Sequence, residues 1–135
     1  MPNIVRWPRA IGRRLVSDLP VFTADWHATL LDIGGASPSP AYPLDGTSIA
    51  PYLLRGVEPD VRDLFWRMRG KRGLRRGDWK YVSNTATNGL THELYDLATD
   101  PSERANLARR QPETLAALRA AWEAIDATLL PYPTT

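Results

Sequence analysis

The sequence contains no cysteine, which excludes disulfide bonds, thiolate metal ligands and a cysteine nucleophile. It also has no apolar run close to the roughly 20 residues of a membrane-spanning helix. The basic residues near the start are interrupted by Trp7-Pro8, and no apolar segment follows them as it would in a signal peptide. The sequence therefore predicts no membrane partner, and it leaves the localisation unknown.

The sequence has little net charge of either sign, since the formal value is only +2. The 12 prolines and 9 glycines indicate a loop-rich chain. A chain of 135 residues is long enough for one domain in which about two thirds of the unfolded surface becomes buried. A modest hydrophobic core, without disulfide support, is therefore expected.

The second half of the chain has the pattern of a small antiparallel sheet. Runs of β-forming residues separated by Gly, Asp and Asn predict strands near residues 63–68, 72–76, 79–83 and 92–97. A long helix is predicted to begin near Pro112, because proline is favoured in the first turn. Its apolar residues recur every three or four positions and should pack on the sheet; they are Leu115, Leu118, Trp122, Ile125 and Leu129. Three of them, Leu115, Leu118 and Trp122, should form one core with Trp79, Leu94 and Leu97 of the sheet segment. A coiled-coil partner is the alternative, but the stripe lasts barely two heptads.

The first half of the chain predicts one strand and two helices. A strand is expected over residues 3–7, where Ile4, Val5 and Trp7 would remain exposed unless another polypeptide covered them. A helix over residues 24–33, capped by Thr23, should bury a stripe of Trp26, Leu30 and Ile33 and stop at Gly34-Gly35. A short helix should follow Thr47 or Ser48, run through Leu54 and end at Gly56.

Three motifs in the second half resemble the C-terminal region of sulfatases. They are Gly77-Asp78-Trp79-Lys80, Leu94-Tyr95-Asp96-Leu97, and the turn from Asp100-Pro101 through Glu103 to Asn106-Leu107, and they stand in the order of the family's "GDWK", "LYDL" and "DPxExxNLA" segments. The first half is similar to the preceding family segments: the entering strand at residues 2–8, the helix at 25–35 and the "LDGxS" connection at 44–48. The resemblance covers nearly the whole chain but only about the last quarter of a sulfatase.

The resemblance implies an α+β fold, a C-terminal sulfatase subdomain with a four-stranded antiparallel sheet and a long C-terminal helix. Residues 61–135 would form this subdomain. Residues 1–60 would supply a strand and helices at the edge of a larger alkaline-phosphatase-like α/β catalytic domain, together with the connection to the subdomain. The rest of that larger domain is not in this sequence.

The resemblance also implies a chemistry whose catalytic groups are missing here. In sulfatases, a Cys or Ser in a C/S-x-P-x-R motif becomes formylglycine, and a calcium ion held by Asp and Asn stabilises the developing charge. This sequence has no such motif, because Ser37-Pro38-Ser39-Pro40 has proline at its second position and no arginine at its fifth. We therefore expect no catalytic residue, no metal ligand and no cofactor in this chain; calcium and formylglycine are implied only for a full-length family member.

The expected function is that of a C-terminal sulfatase fragment, inactive by itself, from an enzyme that hydrolyses a sulfate ester or a related phosphonate or phosphate ester. The expected partner is a missing catalytic domain, and a sulfate-ester substrate would bind only in the full-length enzyme. The alternative is a non-catalytic interaction module, or a subunit that completes a separately encoded catalytic chain.

Basic residues are concentrated in one segment, residues 62–80, which carries eight basic side chains and only Asp63 and Asp78 as acids. Strand alternation places Arg67 and Arg69 on one face, where they could steer an anionic substrate, and His92 is a weaker candidate for the same substrate rim. The alternative is a solvated face balanced by acids elsewhere. Nucleic-acid binding is not expected, because strand aromatics such as Trp66 are usually core residues and no RNA-binding motif is present.

Overall fold

The computed structural model describes residues 3–12, 14–68, 70–86 and 89–131. The chain divides into two compact units, Met1–Asp60 and Val61–Thr135. The first unit contains two helices, α1 (Thr23–Ile33) and α2 (Ala50–Arg55). The second contains four strands and one helix, namely β1 (Asp63–Met68), β2 (Lys71–Arg76), β3 (Trp79–Ala86), β4 (Gly89–Asp96) and α3 (Pro112–Asp126).

The second unit is a four-stranded antiparallel sheet whose strands lie side by side in sequence order. Gly77 and Asp78 form the turn between β2 and β3, and Gly77 adopts a left-handed conformation with φ of 59° that favours glycine. The predicted sheet and C-terminal helix are confirmed. Strands β3 and β4 are longer than predicted, because their pairing continues to Ala86 and Gly89.

The core of this unit is a row of side chains that crosses the sheet. Phe65, Leu74, Tyr81 and Leu94 lie directly opposite one another on neighbouring strands; we call them the core row. Directly opposed residues share one face of a sheet, and α3 covers this face with its two most buried side chains, Leu118 and Trp122.

The predicted core is largely confirmed. Trp79 and Leu115 pack against the buried cluster, as does Ile125. Leu97 is only half-buried, because it follows the end of β4, and Leu129 is exposed because α3 already ends at Asp126. The predicted contribution of Leu97 to the core and of Leu129 to the buried stripe is therefore wrong.

The acidic segment after β4 forms a turn against the sheet. Asp100 Oδ2 accepts backbone hydrogen bonds from Arg104 and Ala105, and Asn106 Oδ1 accepts one from Leu94 of β4. Glu103 has a φ of 55° and forms a 2.6 Å ion pair with Lys80, so it belongs to the turn and does not begin a helix. The turn instead covers part of the β4 edge.

Helix α1 buries a different face from the predicted one. Its buried side chains are Asp25, Ala28 and Thr29, whereas Leu30 is 66% exposed. The helix begins at Thr23 itself, and Asp25 Oδ2 accepts the backbone N–H of Phe22, which precedes it. The predicted cap at Thr23 is therefore wrong. The predicted apolar stripe is also wrong, because the buried face of α1 carries Asp25 and Thr29, whose oxygens accept hydrogen bonds from backbone N–H groups of neighbouring segments.

The connection from α1 to α2 is held by those polar side chains. Asp25 Oδ1 accepts the Thr47 backbone N–H at 3.0 Å, and Thr29 Oγ1 accepts the Ile49 N–H at 3.0 Å. Gly46 passes so close to α1 that a Cβ atom there would overlap the Ala24 carbonyl group. The "LDGxS" segment therefore needs glycine at this position. Helix α2 ends at Gly56, as predicted, in a left-handed conformation with φ of 73°.

Residues 3–7 are not a strand in the structure. A strand needs a neighbour for its backbone hydrogen bonds, and among the described residues the only sheet is the four-stranded sheet of the second unit. Ile4 is 96% exposed and Trp7 is 39% exposed, so the predicted exposure of this apolar segment is confirmed. The assignment of residues 1–60 to the edge of a larger domain stays a prediction.

Candidate functional site

A row of polar side chains lies beside the core row on the face covered by α3. Arg67, Arg72, Ser83 and His92 occupy consecutive strands and are direct partners in the sheet register. Each stands two residues from a member of the core row, so strand alternation places them on the same face. We call these four residues the polar row.

Arg67, at the β1 end of the polar row, is bound to the end of α3. Its guanidinium donates a 2.8 Å hydrogen bond to Asp126 Oδ1 and a 2.7 Å hydrogen bond to the Leu130 carbonyl. The Arg67 side chain is 20% exposed, which screens this ion pair less than a fully solvated one. Arg67 therefore helps to hold the end of α3 against the sheet.

Arg72 lies over an aromatic ring, and its charge also contributes to lowering the pKa of Glu123. Its guanidinium carbon lies 4.8 Å from the centre of the Trp122 ring, within the range of a cation–π interaction. The Trp122 indole is stacked on Phe65 and donates its N–H to the Trp66 carbonyl at 2.9 Å. These contacts hold Trp122 in place, and the ring supports Arg72.

His92, on β4, is bound to the core through Tyr81. The Tyr81 hydroxyl and His92 Nδ1 are 3.0 Å apart, and the two rings are stacked with centroids 5.9 Å apart. Partial burial lowers the pKa of His92 below its ordinary value, and the cations Arg119 and Arg72 lower it further, against a smaller opposing effect of Glu123. The neutral imidazole is therefore favoured in the folded protein.

Ser83 lies between Arg72 and His92 and is fully buried. Its hydroxyl oxygen has no hydrogen-bond partner among the described residues. A buried hydroxyl without a partner costs about 1–3 kcal/mol. The polar row therefore contains a group that destabilises the fold unless something else binds it.

A cleft of about 380 Å³ opens beside the polar row at the end of α3. It is lined by Arg67, Arg72, Trp122, Asp126, Ala127, Leu129 and Pro131. Farther along α3, Arg119 and Glu123 form a 2.8 Å ion pair, which lowers the pKa of Glu123. The cleft thus combines apolar walls with two arginines: Arg67, which forms an ion pair with Asp126, and Arg72, which lies over the Trp122 ring.

Three other basic residues of the segment 62–80 do not join this site, namely Arg75, Arg76 and Lys80. Arg76 forms a 2.6 Å ion pair with Asp63, while Arg75 and Lys80 occupy the opposite face of the sheet by alternation. The basic residues on the described strands are thus divided between two faces of the sheet.

Two of the three residues predicted for the substrate rim belong to the polar row. The structure brings Arg67 and His92 to the same face, at opposite edges of the sheet, and Arg69 lies outside the described residues. The sequence pattern did not single out Arg72 and Ser83 as site residues. Their positions two residues from Leu74 and Tyr81 were a usable signal once those two were recognised as core residues.

Neither a metal site nor a membrane span is found within the described part of the chain. No group of three or more His, Cys, Asp or Glu side chains there could hold a metal ion. None of the helices in the same ranges is long and apolar enough to cross a membrane.

Comparisons with known proteins show that the chain is similar to sulfatases. No protein-family model matches it. An uncharacterised sulfatase of Schizosaccharomyces pombe is 28% identical over 93% of this chain and 24% of its own length. Arylsulfatase K of Gallus gallus is 29% identical over 87% of this chain and 24% of its own length. The chain thus spans about a quarter of the curated relatives it matches.

Solved structures agree on the fold. A Bacteroides thetaiotaomicron protein, solved in work on the metabolism of multiple glycosaminoglycans, matches with a TM-score of 0.64 and 22% identity over 76% of this chain and 24% of its own. A second protein of that organism, provisionally described as a sulfatase, matches with a TM-score of 0.52 and 30% identity over 71% of this chain and 22% of its own.

Proposed function

This chain resembles the C-terminal region of sulfatases in sequence and in fold, and from that premise we propose that it is the non-catalytic C-terminal part of an enzyme that hydrolyses sulfate esters. One observation carries the proposal: the curated relatives match most of this chain, but this chain matches only about a quarter of each relative. The remaining three quarters of such an enzyme would supply the reacting groups.

The side chains that this chain offers for catalysis and for metal binding support a non-catalytic role. Formylglycine is made from Cys or Ser in a C/S-x-P-x-R motif, and the sequence has neither a cysteine nor that motif around any serine. Calcium prefers several oxygen ligands at one place, and the described residues offer no cluster of carboxylates that fits it. We therefore derive no catalytic step from this chain, and we propose that both groups come from a separate catalytic domain.

The exposed N-terminal segment fits a role beside such a domain. Ile4, Val5 and Trp7 are exposed in a segment that forms neither a helix nor a strand. Exposed apolar side chains in a group commonly mark an interaction surface. The same observation supports the second candidate, a subunit that completes a separately encoded catalytic chain, because either a linked or a separate domain could cover this segment.

Two products test the proposal in one assay. The purified chain is compared with the same chain expressed together with the coding sequence that precedes it in its genome, using an aryl sulfate substrate with and without calcium. We expect turnover only from the longer product. Turnover by the chain alone, dependent on calcium and above the buffer rate, would overturn the proposal. A preceding sequence without an in-frame C/S-x-P-x-R motif would favour the separate-subunit candidate.

A further inference from the structure

The two edges of the sheet differ in what covers them. On β4, the Leu94 backbone N–H donates to Asn106 Oδ1 at 3.2 Å, and the Leu94 carbonyl accepts the Leu107 N–H at 2.8 Å. The Asp96 carbonyl accepts the Asp100 N–H at 2.8 Å. The turn after β4 therefore occupies part of that edge, whereas β1, at the other edge, has no strand beyond it among the described residues.

These hydrogen bonds fix which backbone groups of β1 point outward. Residues of an antiparallel strand bond alternately to one neighbour and the other, so the outward-facing Leu94 leaves its partner Tyr81 bonded to Leu74 on β2. Leu74 then faces β3, and Phe65, which lies opposite it on β1, turns its N–H and C=O away from β2. Asp63, two residues earlier, shares this orientation. The outward backbone groups of Phe65 and Asp63 have no hydrogen-bond partner among the described residues.

The β1 edge lacks the features that usually prevent another strand from adding to a sheet. Its pairing with β2 runs without a bulge from Asp63 to Met68, and the strand contains no proline. Both of its charged side chains, those of Asp63 and Arg67, are held in ion pairs. On the face opposite α3, Trp66 is 43% exposed and Met68 is 60% exposed. An extended segment can therefore add to this edge without burying an unpaired charge.

The sequence of β1 is complementary to itself in the antiparallel direction. A two-fold axis at Phe65 places this residue opposite Phe65 of a second copy, and it places Asp63 opposite the second copy's Arg67. Outward-facing residues then meet outward-facing residues, and the two copies form two pairs of opposite charge. An axis at Asp63 or at Arg67 would instead pair like charges. Within β1, the axis at Phe65 gives the register that pairs both charged residues with opposite charges.

We propose that the β1 edge pairs with the β1 edge of a second copy of this chain, in the antiparallel register centred on Phe65. The two sheets then form one continuous sheet, with both copies of α3 on the same face. On the other face, Trp66 lies opposite the second copy's Leu64. One pair of strands buries a small area, so association should be weak, with a Kd of about 1–100 µM. This inference rests on the second unit alone and does not depend on the proposed function.

Two measurements on the purified chain test for this dimer. Sedimentation equilibrium at protein concentrations that bracket the expected Kd should show a transition from monomer to dimer. Hydrogen exchange followed by NMR at the same concentrations reports on the edge itself. We expect the Phe65 amide to exchange more slowly as the protein concentration rises, because its N–H gains an acceptor. The Trp66 amide faces β2 and should change less.

Complementary charge reversals test the register. Asp63→Arg gives a chain with positive charges at both positions, and Arg67→Asp gives a chain with negative charges at both. Each variant alone should therefore dimerise about tenfold more weakly, because like charges meet across the axis. Mixing the two variants should restore dimers, since every pair across the axis again combines opposite charges. Misfolded variants would not recover on mixing.

A matched pair of variants controls for net charge. Glu113→Arg and Arg109→Asp change the net charge by the same amounts as the two β1 variants, and both residues are exposed and lie outside β1. Neither control variant should weaken the dimer, and mixing the two should not strengthen it.

Other outcomes would overturn the inference. A monomer at every concentration would show that the β1 edge does not pair. A dimer that neither charge reversal weakens would use another surface, such as the exposed segment that contains Ile4 and Trp7. Failure of the mixture to restore dimers would exclude the register centred on Phe65, and equal effects in the control pair would reduce the result to net charge. In the longer product, a protected Phe65 amide in a monomer would assign the edge to the upstream domain.

Discussion

Replacing Trp122 with alanine should cost about 3–5 kcal/mol of unfolding free energy, as large-to-small core substitutions of tryptophan do. The Trp122 side chain is 3% exposed, and its ring stacks on Phe65 with centroids 5.3 Å apart. The variant would also leave the Trp66 carbonyl without its donor and remove the ring beneath Arg72. These losses place the expected value in the upper part of the range.

Chemical denaturation followed by far-UV circular dichroism measures the change, since that signal does not depend on the deleted tryptophan. Leu130→Ala is the control, because Leu130 is 84% exposed and should change the free energy by no more than about 0.5 kcal/mol. Trp122→Phe should fall between the two, because it keeps an aromatic ring and loses the indole donor. A loss below about 1 kcal/mol in Trp122→Ala would mean that α3 does not dock on the sheet.

Three further predictions concern the ionisable residues. The pKa of His92 is lowered in the folded state, so the unfolded chain binds a proton more readily and stability should fall as the pH decreases below about 6.5, the ordinary pKa of histidine. Urea titrations at several pH values should find a smaller decrease in the His92→Gln variant, with His27→Gln as the control. In the longer product, which includes the upstream coding sequence, the double variant Arg67→Ala/Arg69→Ala should have a lower kcat/KM for an anionic substrate than the unchanged protein, and added salt should shrink the difference between the two. Equal kcat/KM values at low salt would show that neither residue belongs to the predicted substrate rim. Asp25→Ala should destabilise the first unit by at least about 1 kcal/mol in thermal unfolding, because two backbone N–H groups lose their acceptor, and a loss within experimental error would contradict that role.

The sheet and α3 could be predicted because their signals are local. Turn residues such as Gly77 separate the strands, and Pro112 marks the first turn of the helix. The length of β3 and β4 could not be predicted in the same way, since Asn84 and Thr91 are polar and their strand conformation depends on pairing with each other. Pairing is a tertiary interaction that a single strand does not encode.

The first half was harder to predict because its buried groups are polar. Asp25 and Thr29 are fully buried, and they stabilise the fold by accepting hydrogen bonds from backbone N–H groups of a segment about 20 residues away. Hydrophobic periodicity favours Leu30 for burial and carries no information about such bonds. Residues 3–7 have β-forming side chains, but a strand also requires a partner strand.

The candidate site was predicted in part. Alternation along β1 correctly separated Arg67 from Trp66, and His92 was chosen for its chemistry. Arg72 and Ser83 were missed because their position two residues from Leu74 and Tyr81 becomes informative only once the core row of the sheet is known.

We propose that the groups that react with a sulfate ester lie outside this chain. The most direct measurement is calcium-dependent aryl sulfate turnover by the longer product after its upstream C/S-x-P-x-R motif has lost the Cys or Ser to alanine. We predict that turnover falls to the buffer rate although residues 1–135 are unchanged. Turnover that survives this substitution would show that the motif does not supply the nucleophile, and it would contradict this proposal.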